Sequence, residues 1–169
     1  TMAANTTGAG NTALGRAAMN ENTTGNENVG VGYGALESNT TGCQNTASGR
    51  DALTSNTSAN RNSAFGANSL DANTTGACNT AVGYASLTNN TTGAKNTALG
   101  NYTLSDNTTG SDNTASGYAA LSNNTTANYN VAVGTCALHA NTTGNCVTGI
   151  GYKALQSNTT GTGSVALGY

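Results

Sequence analysis

An asparagine followed by two hydroxyl residues returns every seventeen positions, at Asn5, Asn22, Asn39, Asn56, Asn73, Asn90, Asn107, Asn124, Asn141 and Asn158. No insertion or deletion breaks the spacing, and the ten copies fill the chain, leaving no room for a separate catalytic domain. A short, strict period of this kind marks a solenoid: each unit is too small to bury its own core, and stacking the units builds a continuous one.

Counting from the marker asparagine as column 1, the unit reads N-T-T-G-x-x-N-T-A-(V/L)-G-Y-x-A-L-x-x. Column 11 is glycine in every copy: Gly15, Gly32, Gly49, Gly66, Gly83, Gly100, Gly117, Gly134, Gly151 and Gly168. Column 15 is Met19 and then Leu36, Leu53, Leu70, Leu87, Leu104, Leu121, Leu138 and Leu155. Column 10 is mostly large and apolar, for example Val82, Leu99, Val133 and Ile150, interrupted by Ser48 and Ser116. Column 9 holds only alanine or glycine. The five basic and seven acidic residues all fall in columns 6, 12, 13, 16 and 17. Burying an unpaired charge is expensive, so these columns are predicted to face water. The charge-free columns 7 to 11, 14 and 15 are predicted to form wall and interior, with columns 10 and 15 as the apolar core.

Helix is a poor reading, because each unit is rich in Gly, Asn and Thr and columns 10 and 15 make no 3.6-residue stripe. Columns 7 to 12 instead alternate as a strand, with 8 and 10 on one face and 9 and 11 on the other. A second short extended segment is predicted through columns 14 and 15. The chain has no Asn-Gly or Asp-Gly pair, the strongest tight-hairpin signal. Parallel pairing of copy upon copy follows. The predicted fold is all-β: one parallel β-solenoid of ten seventeen-residue coils spanning 1–169, about 48 Å long at about 4.8 Å per coil. Neither end carries an atypical, polar unit of the kind that caps solenoids, so a segment of a longer fibre, or coils stacked end to end between subunits, is expected.

The net charge of −2 gives no electrostatic attraction to nucleic acid or an acidic membrane, and there is no long apolar run for membrane insertion. Of the four cysteines, Cys43 and Cys78 lie two coils apart, beyond disulfide reach, and Cys136 and Cys146 lie in distant columns; free thiols are expected. No CxxC, second histidine or acidic cluster supports a metal site, and no cofactor is implied. The acidic residues are spread over different coils and columns, with Asp51 expected to stand alone, so no carboxylate pair for glycan cleavage is predicted and the chain is read as non-enzymatic. Lys95 and Asp112, stacked in column 6, are expected to make a weak surface ion pair.

The stretches Ser164-Val165-Ala166-Leu167-Gly168-Tyr169, Asn79-Thr80-Ala81-Val82-Gly83-Tyr84 and Asn96-Thr97-Ala98-Leu99-Gly100 resemble the S-V-A-(L/I)-G repeats in the heads of trimeric autotransporter adhesins, and similar repeats in tail-fibre proteins of bacterial viruses. The resemblance touches every unit but rests on a few small residues in each, and the adhesin unit is shorter. It implies a parallel β-roll, three chains side by side, on a cell or virion surface. The small columns 9, 11 and 14 would then let neighbouring chains approach, or would serve only tight corners within a coil.

Column 1 is always an N-x-(S/T) sequon, and Asn89, Asn101 and Asn123 add more. All ten column-1 asparagines are therefore candidate N-glycosylation sites, expected at accessible turns beside the column-4 glycine. Column 7 is the internal control: asparagine recurs there almost as faithfully without a sequon, so laddering alone also explains column 1. Ice binding needs Thr-x-Thr on one strand face, a pattern present only at Thr160 and Thr162. The column-12 tyrosines offer a carbohydrate-binding surface, but only Tyr152 and Tyr169 are on adjacent coils, so no continuous platform is predicted. The functional expectation is an extracellular structural fibre or stalk of the adhesin or tail-fibre type, homo-oligomeric and glycan-coated, with ice binding and carbohydrate binding as the alternatives.

Overall fold

A computed structural model describes all 169 residues. It is an all-β solenoid without a helix. Ten three-residue strands, β1 (Thr12–Leu14), β2 (Val29–Val31), β3 (Thr46–Ser48), β4 (Ser63–Phe65), β5 (Thr80–Val82), β6 (Thr97–Leu99), β7 (Thr114–Ser116), β8 (Val131–Val133), β9 (Thr148–Ile150) and β10 (Val165–Leu167), form one parallel sheet in chain order. The register is seventeen residues at every step: Thr80 opposes Thr97, Ala81 opposes Ala98 and Val82 opposes Leu99.

Three residues make a poor strand alone, yet only 18 of the 109 backbone hydrogen bonds lie in the regular sheet. Most of the others run between coils through the turns. Leu87 N–H donates to Thr103 O at 3.0 Å, Thr91 N–H to Thr108 O at 2.9 Å, and Gly100 N–H to Val82 O at 2.7 Å. Each coil is thus bonded to its neighbours around most of its perimeter, which satisfies the buried backbone polar groups that irregular chain would otherwise strand.

The strand presents column 9 inward and columns 8 and 10 outward. Ala47, Ala64, Ala81, Ala98, Ala115 and Ala132 are fully buried, whereas Val82, Leu99, Val133 and Ile150 are each about two-fifths exposed (38–41%). This corrects the expectation that column 10 belongs to the core. The interior opposite the strand is filled by the column-15 side chains. A Cβ added to Gly30 would lie 3.0 Å from Met19 Cγ, and one added to Gly149 would lie 3.1 Å from Leu138 Cγ. A seventeen-residue coil encloses one large aliphatic side chain, and the facing wall has room for nothing beyond a methyl group.

Leu36, Leu53, Leu70, Leu87, Leu104, Leu121 and Leu138 are fully buried and stack as one file, with Leu155 packed against its end. Their backbone is not the predicted second extended segment. Leu87 has φ 53° and its column equivalents 50–54°. Left-handed backbone is unfavourable for a bulky residue, by roughly 1–2 kcal/mol. Full burial of a leucine side chain, worth about 1.5–3 kcal/mol, offsets that cost. Column 11 has no such choice: Gly83 has φ 129°, and a Cβ there would sit 2.6 Å from Gly100 backbone atoms that cannot move aside.

The rest of the interior is polar. Columns 1 and 7 are two asparagine ladders. Asn39 Nδ2 donates to Asn22 Oδ1 (2.8 Å) and to Gly42 O (3.0 Å). Asn28 Nδ2 donates to the same Gly42 O (2.8 Å), while its Oδ1 accepts the Asn45 N–H (2.9 Å). One column-4 carbonyl therefore ties both ladders together at each coil. Because donors and acceptors are matched within the stack, buried carboxamides here avoid the penalty of unpaired polar groups.

The column-7 ladder has a fault. Val147 stands where asparagine is usual; it still donates its N–H to Asn130 Oδ1 (2.8 Å), but Asn130 Nδ2 is buried without a partner. Elsewhere that donor reaches the next coil's column-4 carbonyl, as Asn113 Nδ2 reaches Ala127 O at 2.8 Å. Replacing Val147 with asparagine is expected to carry the ladder into this coil, its Nδ2 donating to Asn130 Oδ1 and Gly161 O as Asn113 Nδ2 does to Asn96 Oδ1 and Ala127 O, and to raise stability by about 1 kcal/mol, the net worth of a hydrogen bond. Urea denaturation checks it; a lowered midpoint would mean that the buried valine contributes more than the extended ladder.

Candidate functional site

The outward strand columns make one face of the solenoid. Columns 8 and 10 carry threonine, valine, leucine, isoleucine, phenylalanine or serine and no charge, and column 12, at the corner that ends the strand, adds tyrosines. Fifteen large hydrophobic or aromatic residues are exposed, and fourteen of them lie in columns 8, 10 and 12 or just beyond, at Tyr102; Tyr129 in column 6 is the exception. The end strands contribute Leu14, Val165 and Leu167, and the interior of the sheet Phe65, Val82, Leu99, Val133 and Ile150. A soluble surface seldom gathers apolar side chains into one contiguous strip, and such a strip marks an interaction site. Hydrophobicity alone, which assigned column 10 to the interior, concealed this face. The sequence signal that could have revealed it is column 9, whose restriction to alanine and glycine reports the narrow inner wall.

Two of the three suggested contact columns must also be reassigned. Columns 9 and 14 point into the coil, with Ala81 and Ala98 in one and Ala35, Ala120 and Ala137 in the other fully buried. They cannot bring a neighbouring chain close, and their small size serves the coil interior.

The sequons divide sharply. Asn22, Asn39, Asn56, Asn73, Asn90, Asn107, Asn124 and Asn141 have no accessible surface, and their Nδ2 atoms are committed to the ladder. Asn5 is exposed and Asn158 half-buried. The expectation of accessible turn positions is therefore overturned along the body of the rod, where the nitrogen that would carry a sugar is inside. Asn89 and Asn101 are exposed and Asn123 is half-buried.

The threonine columns divide as well. Column 2 spends its hydroxyl on the fold: Thr74 Oγ1 donates to Thr91 O (3.1 Å) and Thr91 Oγ1 to Thr108 O (3.0 Å). Column 3 is exposed in a single file.

Charge is sparse and loosely arranged. The one salt bridge is Arg50 to Asp51, at 3.2 Å; Lys95 and Asp112 do not form the expected pair. Asp51 is not isolated, because it and burial both raise the carboxyl pKa of Asp71 on the next coil, burial being the larger cause, while a hydrogen bond from Asn68 and the charge of Arg50 oppose them. No group of three or more His, Cys, Asp or Glu side chains converges as a metal site would require. All four cysteines are free thiols, Cys78 and Cys146 exposed and Cys43 and Cys136 half-buried.

The aromatic pattern also differs from expectation. Tyr102, in column 13, fills the gap left by Asn101 in column 12. Its ring stands 5.4 Å from Tyr84 and 6.0 Å from Tyr118, edge to face with both. Three consecutive coils therefore carry a continuous tyrosine strip. Tyr152 and Tyr169 form a separate tilted pair at 5.6 Å. No helix is long and apolar enough to cross a membrane. Compared with protein-family models, curated proteins and solved structures, the chain matches none of them.

Proposed function

We propose that the chain is a segment of a non-enzymatic extracellular fibre or stalk whose rods associate side by side through columns 8, 10 and 12. The observation that carries this reading is the concentration of exposed apolar side chains on one charge-poor face running the length of the solenoid. Nine strand spacings by the width of those columns give a face of roughly 570 Å² in projection. Two copies would bury about 1,100 Å², above the roughly 1,000 Å² expected of a specific interface. The occupant that fits is another copy of the chain. The ridges recur at one inter-strand spacing along the whole rod, and an identical rod is commensurate with them throughout. Stacked coils bonded around their perimeter supply the stiffness a spacer needs.

Analytical ultracentrifugation tests the reading. The wild-type rod is expected to be oligomeric at micromolar concentration. A variant with Val82, Leu99, Val133 and Ile150 all changed to serine is expected to be monomeric with unchanged circular dichroism, since Ser48 and Ser116 already occupy this column. A monomeric wild-type rod would overturn the proposal. Ice binding draws support from one observation, the outward column-8 file Thr80, Thr97 and Thr114 beside aliphatic column 10. Thermal hysteresis in the monomeric variant and in the parent distinguishes the two readings.

A further inference from the structure

We infer that Tyr84, Tyr102 and Tyr118, with the Asn101 carboxamide between them, form a binding strip for a neutral, linear, β-1,4-linked polysaccharide lying along the rod axis. The rings are 47%, 42% and 55% exposed, respectively, and each is fixed at its neighbour's edge. Exposed, pre-positioned aromatic rings suit the apolar faces of pyranose sugars, and rigid placement reduces the ordering cost of binding.

Local preference is reversed at this coil. Column 13 is left-handed throughout, and asparagine tolerates that backbone far better than tyrosine; Asn68 occupies it two coils earlier. Coil six instead places Asn101 in column 12 and Tyr102 in column 13 with φ 57°. The exchange keeps the aromatic strip continuous at the expense of backbone preference, and departures of that kind concentrate at functional positions. It also supplies a polar contact. Asn101 Oδ1 accepts the Tyr84 N–H (2.9 Å), which orients the carboxamide, while its NH2 group makes no bond within the chain. That group is left to donate to a sugar hydroxyl.

The spacing selects the linkage. Tyr84 and Tyr118 are two coils apart, about 9.6 Å along the axis, close to one disaccharide of an extended β-1,4 chain. In such a chain alternate sugars present the same face. One sugar therefore meets Tyr84 and the next but one meets Tyr118, with the intervening sugar over Tyr102 and Asn101. Two other tyrosine rings carry a cation instead of a ring neighbour in a three-coil strip: Arg16 lies over Tyr33 at 5.6 Å and Lys153 over Tyr152 at 5.2 Å.

The test is calorimetric titration of the four-serine variant, whose column 12 is not covered by a second rod, with cellohexaose and with chitohexaose, which separates a glucan from an N-acetylglucosamine polymer. At least one hexasaccharide is expected to bind, and its disaccharide at least tenfold more weakly, because it cannot span both outer rings. Tyr84→Ala and Tyr118→Ala are each expected to weaken binding at least tenfold, while Tyr152→Ala leaves it unchanged. Ala67 already occupies column 12, so these variants keep the fold. Absence of binding by either hexasaccharide at millimolar concentration, or affinity untouched by Tyr84→Ala and Tyr118→Ala, would overturn the inference. Lateral association is read separately by sedimentation, and the four-serine variant retains every tyrosine of the strip.

Discussion

Changing Leu87 to aspartate is expected to destabilise the rod by several kcal/mol, the scale of an unpaired charge placed in an apolar interior. Leu87 is fully buried in the middle of the column-15 file, with leucine above and below. Nothing within the coil can pair with a carboxylate there, since the facing wall is alanine and the nearby ladders have matched donors and acceptors. Leu87→Ala separates the charge from the lost volume and is expected to cost about 2–5 kcal/mol. The left-handed backbone makes the position sensitive, because the residue tolerates φ 53° only while its side chain is packed. Stability in a repeat array is approximately a sum of unit and nearest-neighbour terms. The aspartate variant is therefore expected to open at its own coil first, and hydrogen exchange should show protection lost around coils four to six before the ends of the sheet. An unchanged urea midpoint would mean that column 15 does not hold the stack together.

Attachment of N-linked glycan along column 1 is expected to prevent folding altogether. Eight of the ten marker asparagines have no accessible surface, and each Nδ2 donates within the ladder, as Asn90 does to Asn73 Oδ1 (2.8 Å) and Gly93 O (2.9 Å). A glycan on that nitrogen removes a donor and needs space the coil lacks. An enzyme that modifies the chain before it folds would reach these sites, and the products could not then stack. Passage through a glycosylating secretory compartment should thus yield glycosylated, unfolded material, whereas the same chain made without that machinery should fold. The control changes only column 3, which is exposed. Replacing its hydroxyl residues with alanine abolishes every column-1 sequon while leaving each asparagine in place, and should restore the folded rod in the glycosylating host. Intact mass and circular dichroism read both outcomes. A folded protein carrying glycans on Asn73 or Asn90 would be incompatible with the buried ladder.

The seventeen-residue recurrence was enough to determine the parallel stack, its register and the burial of the column-15 leucines. These follow from repetition itself, because identical units bury the same residues only when they sit in register. The charged columns likewise had to face water. The direction in which column 10 points was a different matter. Alternation along a strand separates Val82 and Leu99 from Ala81 and Ala98 but does not say which set lies inside. The closed coil decides it: the leucine opposite fills the available width, so the small residues turn in and the large ones form an outer face. The asparagine columns show the same division. Their recurrence implied laddering or exposed acceptors equally well, and only the three-dimensional path brings the carboxamides of columns 1 and 7 onto one glycine carbonyl. The tyrosine strip also depended on that path, because Tyr102 shares no column with Tyr84 or Tyr118 and meets them only where the corner of the coil turns. Periodicity prescribes what lies above what; the width and closure of the coil determine what lies inside, and therefore which surface is left for another molecule.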